Sequence, residues 1–290
     1  MITRNKTIAV ISHEIDTFEN SGYLLNRLAE EWAQQGIRLA VIRGTEGPLP
    51  EADLAVLHTD ITTVGDDYGR IVDHYARVIN GRVRTTTKTS FSALIVNRED
   101  RYPGPVIVKT DNNYGGSREA IEGLESGDTA EVIEVQRPWR RVKSLEQYPV
   151  FRSPSEVPLG VWKNPALVVE KFLPERNAEG EYLLRVWVFL GNREIYYQCV
   201  SSDPVIKSDN TIRREPLDPS DIPQSVRETR ASLGFDYGKF DFCLHEGKAV
   251  LYDVNRTPGF PRSNNEPDMV KKNMEWLSGG LDCFFEERDR

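Results

Sequence analysis

Several common chemistries need residues that this chain has few of. Its 290 residues include three cysteines, Cys199, Cys243 and Cys283. They stand at no ligand-like spacing, and an odd count among apolar strands predicts reduced thiols in a cytoplasmic setting. No apolar run approaches the length that spans a membrane. The opening MITRNKTIAVISHE holds only a short apolar run before His13 and Glu14, which reads as a first strand and not as a signal peptide. Positive charge is also short: 37 Lys and Arg against 45 Asp and Glu leave a net charge of -8. That balance argues against a nucleic-acid binder working by bulk electrostatics, and an anionic ligand would need local cations or a metal.

Familiar nucleotide motifs are missing as well. No Gly-x-Gly-x-x-Gly follows the first strand, which excludes the usual dinucleotide site. Gly234 to Lys239 is one residue short of the Walker spacing, with Phe240 where Ser or Thr belongs. Neither His-Arg-Asp nor Asp-Phe-Gly occurs, which argues against a eukaryotic-type protein kinase. What remains is an ordinary globular composition, 39% hydrophobic and 28% charged with mean hydropathy -0.50, long enough for one large domain or two to three small ones.

The most informative stretch is KFDFCLHEGKAVLYDVNRTPGFP, from Lys239 to Pro261. Alternating Phe240, Phe242 and Leu244 predict a strand, His245-Glu246-Gly247-Lys248 a turn, and Ala249 to Val254 a returning strand. Asp253 and Asn255 lie two apart and share a face. If Asp241 looks the same way, three hard oxygen ligands converge as a Mg²⁺ site for nucleotide phosphates. Asp-x-Asn after a strand also serves ordinary turns, so the metal reading needs support from elsewhere in the chain.

Upstream, strands at Thr7–Ser12, Ile37–Ile42 and Leu54–Leu57 alternate with helical patterns ending at Gly36 and near Tyr75, then Val78-Ile79-Asn80. This predicts a small parallel α/β unit. Its strand ends carry Ser12-His13-Glu14, His58-Thr59-Asp60 and Asn80, and ligands of such sheets sit beyond those ends; His13, His58 and Asn80 are therefore candidates for a substrate crevice. Thr85 to Val96 predicts a polar cap running into a helix, with Lys88 at its start. Pro105 to Lys109 is a strand, Thr110 to Ser117 a Gly-Gly loop, and 118–124 a helix; a lysine ending a strand before such a loop can neutralise phosphates. Residues 126–165 are poorly periodic and hold a basic, aromatic Arg137-Pro138-Trp139-Arg140-Arg141. Further on, Leu167–Leu173 is a strand, Tyr182–Leu190 and Glu194–Val200 form a hairpin, and Pro204–Glu215 is a loop that carries Lys207, Arg213 and Arg214, with Lys207 and Arg213 as substrate candidates. Ser220–Leu233 is a capped helix, and a last helix surrounds Met269 to Leu277.

Taken in order, these pieces resemble the ATP-grasp superfamily, in particular its glutathione synthetase and ribosomal-protein glutamate ligase branch. The resemblance implies an α/β and α+β fold with three parts: an N-terminal α/β substrate-side domain over 1–84, a central lid subdomain over 85–170, and a C-terminal antiparallel ATP- and Mg-binding subdomain over 171–290. It also implies site residues. Lys88 and Lys109 look like the two nucleotide lysines, and Asn112, Tyr114, Gly115, Gly116 and Ser117 like the loop over the phosphates. Glu170, Lys171, Phe172 and Leu173 resemble the hinge that reads adenine, and Glu175 or Glu181 would hold the ribose. Arg185 resembles the arginine at the terminal phosphate, with Lys109 and Arg256 as further positive charge. Asp241, Asp253 and Asn255 match the metal ligands; Asp253 stands where Glu is more usual, which puts a two-metal site in doubt. The implied cofactors are ATP with Mg²⁺ or Mn²⁺. The implied reaction joins a small-molecule or peptide carboxylate to an amine or thiol through an acyl phosphate. The rival expectations are a small-molecule kinase on the same fold and a non-catalytic nucleotide sensor. Relatives also imply a homodimer as an available state; no nucleic acid and no membrane partner is expected.

Overall fold

The computed structural model describes residues 5–113, 148–260, 262 and 266–285. The Tyr114–Ser117 part of the glycine loop, the helix expected over 118–124 and the Arg137–Arg141 cluster lie outside the described residues. No helix among the described residues is long and apolar enough to cross a membrane.

The first unit is a parallel sheet in the order β2-β1-β3-β4. Its strands are β1 (Thr7–Ser12), β2 (Arg38–Arg43), β3 (Leu54–Leu57) and β4 (Val78–Ile79). All four residues of β3 are buried, as a strand covered on both faces should be. Helices α1 (Leu24–Gln34) and α2 (Asp66–His74) supply the cover. Gly36 at φ +80° follows the end of α1, where a left-handed residue releases the chain into β2.

A short helical turn, α3 (Lys88–Phe91), is all that forms of the helix expected over Thr85–Val96. Leu94 to Val96 instead lies extended against β7 (Leu167–Lys171): the Val96 N–H donates to Val169, and the Lys171 N–H to Leu94. Leu94 and Val96 are buried there, and β-branched Ile95 and Val96 favour the extended form, so tertiary pairing overrides the local helical pattern. The second sheet, β6-β5-β7, is antiparallel, with β5 over Val106–Thr110 and β6 over Val150–Phe151. A one-turn helix, α4 (Leu159–Trp162), packs onto it.

The third sheet is antiparallel in the order β11-β10-β9-β12-β13, with β8 (Glu175–Arg176) also pairing β9. Its strands are β9 (Tyr182–Leu190), β10 (Arg193–Ser201), β11 (Arg213–Leu217), β12 (Tyr237–His245) and β13 (Lys248–Asn255). The end of the expected loop 204–215 is thus the start of edge strand β11, where Pro216 is tolerated because an edge needs no donor on its open side. Helix α5 (Gln224–Leu233) begins later than the Ser220 expected and ends at Gly234, φ +75°. Helix α6 (Asp268–Ser278) runs on into a 3-10 helix, Gly279–Phe284, which closes the described fold.

One face of the third sheet is aromatic, with Trp187, Phe189, Phe240 and Phe242 packed ring to ring. The opposite face carries Leu184, Val186, Tyr197 and Cys199, and that face looks into a cavity.

Candidate active site

The floor of the cavity is set by a β-bulge. Lys248 pairs with His245 and Leu251 with Phe242, but beyond that point Asp253 pairs with Asp241 and Asn255 with Lys239. Regular pairing would have set Tyr252 opposite Asp241 and turned Asp253 toward the aromatic face. The extra residue, Tyr252, restores the alternation one step later, so Lys239, Asp241, Asp253 and Asn255 all face the same cavity of about 700 Å³.

Lys239 Nζ donates to Asp241 Oδ2 at 2.8 Å. The other oxygen, Asp241 Oδ1, is buried without a hydrogen-bond partner among the described residues. Burial pushes the Asp241 carboxyl up, while the adjacent Lys239 ammonium pulls it back. Burial works against the charge of Lys239 in turn, but Asp241 outweighs it and holds the ammonium above its ordinary value. Asp253 Oδ1 lies 3.5 Å from Lys88 Nζ. Lys88 is buried against its charge, yet is likewise held above its ordinary value by Asp253. Asn255 Oδ1 accepts from the Thr257 N–H at 2.8 Å, and the Thr257 hydroxyl donates to Asp60 Oδ1 at 2.8 Å. Among the described residues no group of three or more His, Cys, Asp and Glu side chains gathers as a metal cluster. The oxygen set on this floor is two carboxylates and one amide.

The facing wall comes from the second sheet. Lys109 leaves β5 into the cavity, 2.8 Å from Glu170 and 5.4 Å from the centre of the Tyr252 ring. Lys171 and Phe172 line the cavity at the hinge. Their N–H groups are committed to Leu94 and Pro105, and the Leu173 carbonyl accepts from the Tyr252 hydroxyl at 2.6 Å. The hinge is therefore tied to the bulge. Among the described residues, six cationic side chains (Lys88, Lys109, Lys171, Lys207, Arg214, Lys239) and three carboxylates (Asp60, Asp241, Asp253) line the cavity, with Glu170 buried behind Lys109, so cations outnumber acids there in a chain of net -8.

Several expected site residues are elsewhere. Arg185 falls on the opposite face of β9 from Leu184 and Val186, where it grips Glu175 at 2.6 Å and donates to the Tyr196 hydroxyl at 3.1 Å. That pairing also turns Glu175 away from a ribose role, and Glu181 is half-buried and bound by Arg213 at 2.7 Å. Neither acid lines the cavity. Glu170 is fully buried with Lys109 and the Ser92 hydroxyl instead of facing an adenine. Arg256 is 2% exposed and donates to the carbonyls of Thr59, Ile61 and Val83, so it is a staple between units and supplies no charge to the cavity.

The crevice candidates also change. His13 is buried and stacked on Tyr68. His58 is fully buried among Phe18, Tyr23 and Tyr237, with burial pushing its imidazole down to about 3. Asn80, at φ +60°, clasps the backbone of Asp236 and Tyr237. Asp60 is the strand-end residue that reaches the cavity, held by Tyr23 and Thr257. Lys207 does line it, with its ammonium 4.1 Å over the Tyr148 ring. Arg213 does not; its neighbour Arg214 does. Of the residues missed, Lys239 carried a readable signal, since it stands two before Asp241 in the same alternating strand. Arg214 is visible in the sequence as a loop arginine beside Arg213, but which of the two lines the cavity is not, because edge-strand register is not visible locally. Burial raises the Cys199 thiol and pushes Cys243 up to about 11, which disfavours their thiolate forms.

No family model matches the chain, and no curated protein sequence does. Solved structures match across nearly its whole length. A RimK domain ATP-grasp protein from Sphaerobacter thermophilus superposes with a TM-score of 0.51 at 10% identity, covering 96% of this chain and 99% of that one. The D-cycloserine synthetase DcsG superposes with a TM-score of 0.53 at 11% identity, covering 97% and 100%. The chain has the ATP-grasp fold: a parallel α/β sheet, then a small and a larger antiparallel sheet with a cavity between them.

Proposed function

We propose that the chain is an ATP-dependent ligase that activates a substrate carboxylate as an acyl phosphate and passes the acyl group to an amine or thiol. The observation that carries this reading is the pairing of Asp241 with Asp253 and of Lys239 with Asn255 on one cavity wall, opposite Lys88 and Lys109. The fold likeness to ATP-grasp proteins makes a nucleotide the natural anion for the surplus of cations. The donor set fits a hard divalent cation: all its atoms are oxygens, and Asp241 Oδ1 is a buried carboxylate oxygen with an open valence. Asp241, Asp253 and Asn255 would hold Mg²⁺, which supplies charge neutralisation at the terminal phosphate of ATP.

The chain's own residues do the rest by positioning and electrostatics, which is what phosphoryl transfer asks of a protein. Lys109 and Lys88 come from the second sheet and its approach, so they draw the phosphates onto the floor formed by the third. Lys239 keeps a positive charge beside Asp241, where it can hold an incoming carboxylate in place for attack on the terminal phosphate. Asp60 faces the same space from the first unit and can accept a proton or hold a cationic amine.

The test is to incubate the protein with ATP, Mg²⁺, pooled small acids and hydroxylamine. Hydroxamate and ADP should form together, and Asp253→Ala should abolish both while the protein stays folded. ADP release with a phosphorylated alcohol and no hydroxamate would indicate a kinase. Full activity in Asp253→Ala would remove the metal assignment.

A further inference from the structure

The charges of the cavity are not evenly spread. All three lining carboxylates, Asp60, Asp241 and Asp253, belong to β12, β13 and the end of β3. The end under the loop after β10 presents Ser208, Thr211 and Arg214, with no acid among the described lining residues, while Lys207 of the same loop reaches back toward Asp241. Register explains how Arg214, although exposed to solvent, comes to line the cavity: it pairs with Cys199, which pairs with Leu184, and all three share the cavity face. Arg213, one step away, points outward and is consumed by Glu181 and Glu215. Arg214 forms no ion pair with a carboxylate among the described residues. A guanidinium offers five donors in a planar fork suited to a carboxylate.

Between this end and the Lys239–Asp241 pair the floor is mostly apolar: Leu184, Val186 and Cys199, with Tyr197 beside them. Burial pushes the Tyr197 phenol up to about 12, so this strip carries no charge near neutral pH. Arg214 lies three strand spacings from β12, roughly 14 Å, in the row that meets β12 at Cys243, and Lys239 stands four residues along from that row, roughly 13 Å, so the two backbones are roughly 19 Å apart. With the reach of both side-chain arms taken off, roughly 6 Å each, on the order of 7 Å remains, about two residues of extended chain.

We infer that Arg214 anchors a second anionic group of the acid substrate, and that the ligase therefore takes a small dicarboxylic acid. One carboxylate sits in the Arg214 fork, a short carbon spacer lies over Leu184, Val186 and Cys199, and the other carboxylate meets the reacting end at Lys239. The inference rests on the ligase reading for which end reacts, but the anion subsite itself can be tested without turnover.

Calorimetry on the full chain with Mg²⁺ and a non-hydrolysable ATP analogue would compare dicarboxylates from malonate to adipate with monocarboxylates of equal length. The best dicarboxylate should bind about tenfold or more tighter than its monocarboxylate partner, as expected for a charge-assisted contact. Arg214→Gln should erase that preference, Arg214→Lys should recover part of it, and affinity for the ATP analogue should stay within about twofold in both. Equal binding of the two series, or no binding of either, overturns the inference. So does a loss of ATP-analogue affinity in Arg214→Gln with the preference for dicarboxylates intact, which would make Arg214 a phosphate contact. Dicarboxylate binding that depends on Arg214 but yields no hydroxamate keeps the subsite and rejects the ligase reading.

Discussion

At the scale of single residues, the two arginine choices turn on the same physical fact. A strand sends successive side chains to opposite faces, and a one-residue difference decides between a cavity and a core. Arg185 and Val186 are neighbours on β9, and only Val186 faces the cavity; Arg213 and Arg214 are neighbours on β11, and only Arg214 does. The amino-acid types were legible as site material, but the face was not, because face depends on pairing with strands far away in the chain. Arg185 is instead the partner of Glu175, which also accepts from the Leu244 N–H at 2.7 Å, so both charges are satisfied inside the protein. Replacing Arg185 by Met should therefore destabilise the fold by about 3–5 kcal/mol, by leaving Glu175 buried without its cation. ATP affinity of the folded variant should stay within about twofold. Urea unfolding alongside calorimetry reads both quantities. An unchanged unfolding midpoint with lost ATP turnover would return Arg185 to the phosphate.

At the scale of elements, the hairpin of β12 and β13 shows what local sequence can and cannot carry. Its strands and its turn were legible from alternation and from Glu246-Gly247. Both turn residues have positive φ, +51° and +75°, as a two-residue turn that follows the strand twist requires. The bulge at Tyr252 was not legible, since nothing in LYDVN marks where pairing slips; yet the slip is what turns Asp253 toward Asp241. The Leu94–Val96 segment makes the converse point, with a helical pattern overruled by an available edge on β7. Glu246 is a poor residue for a left-handed conformation, whereas Asn tolerates it. Glu246→Asn should stabilise the protein by about 0.5–1 kcal/mol, raising Tm by roughly 2 °C. The turn lies at the far end of the hairpin from Asp253, so ATP affinity should not move. A lower Tm would mean that the turn does not adopt the left-handed pair.

At the scale of the whole molecule, the three expected parts are not equally independent. Ile8, Val10, Leu28 and Trp32 of the first unit pack in one core with Val186, Leu190 and Tyr237 of the third sheet and Leu277 of α6. Asn80, Arg256 and the Arg27–Glu266 ion pair at 2.6 Å reinforce the same junction. The second sheet has a small core of its own, drawn from residues between Val96 and Val169. The alternation of helix and strand early in the chain and the antiparallel runs later were readable as units. Which units share a core was not, because contacts across more than a hundred residues leave no local mark. We propose on this basis that the first and third parts unfold as one body, while the second opens separately and admits nucleotide to the cavity between them. Native-state hydrogen exchange tests this directly. In the absence of nucleotide, amides of Val106–Thr110 and Leu167–Lys171 should open at a free energy lower by roughly 2 kcal/mol or more than amides of Ile8–Ile11 and Val186–Leu190, which should open together. Adding ATP and Mg²⁺ should protect the first group most, since Lys109 and the hinge would then be held against the floor. If β1 opens well before β9, the shared core does not act as one unit. If all three sheets open at the same free energy, the second sheet has no motion of its own to offer an entering nucleotide.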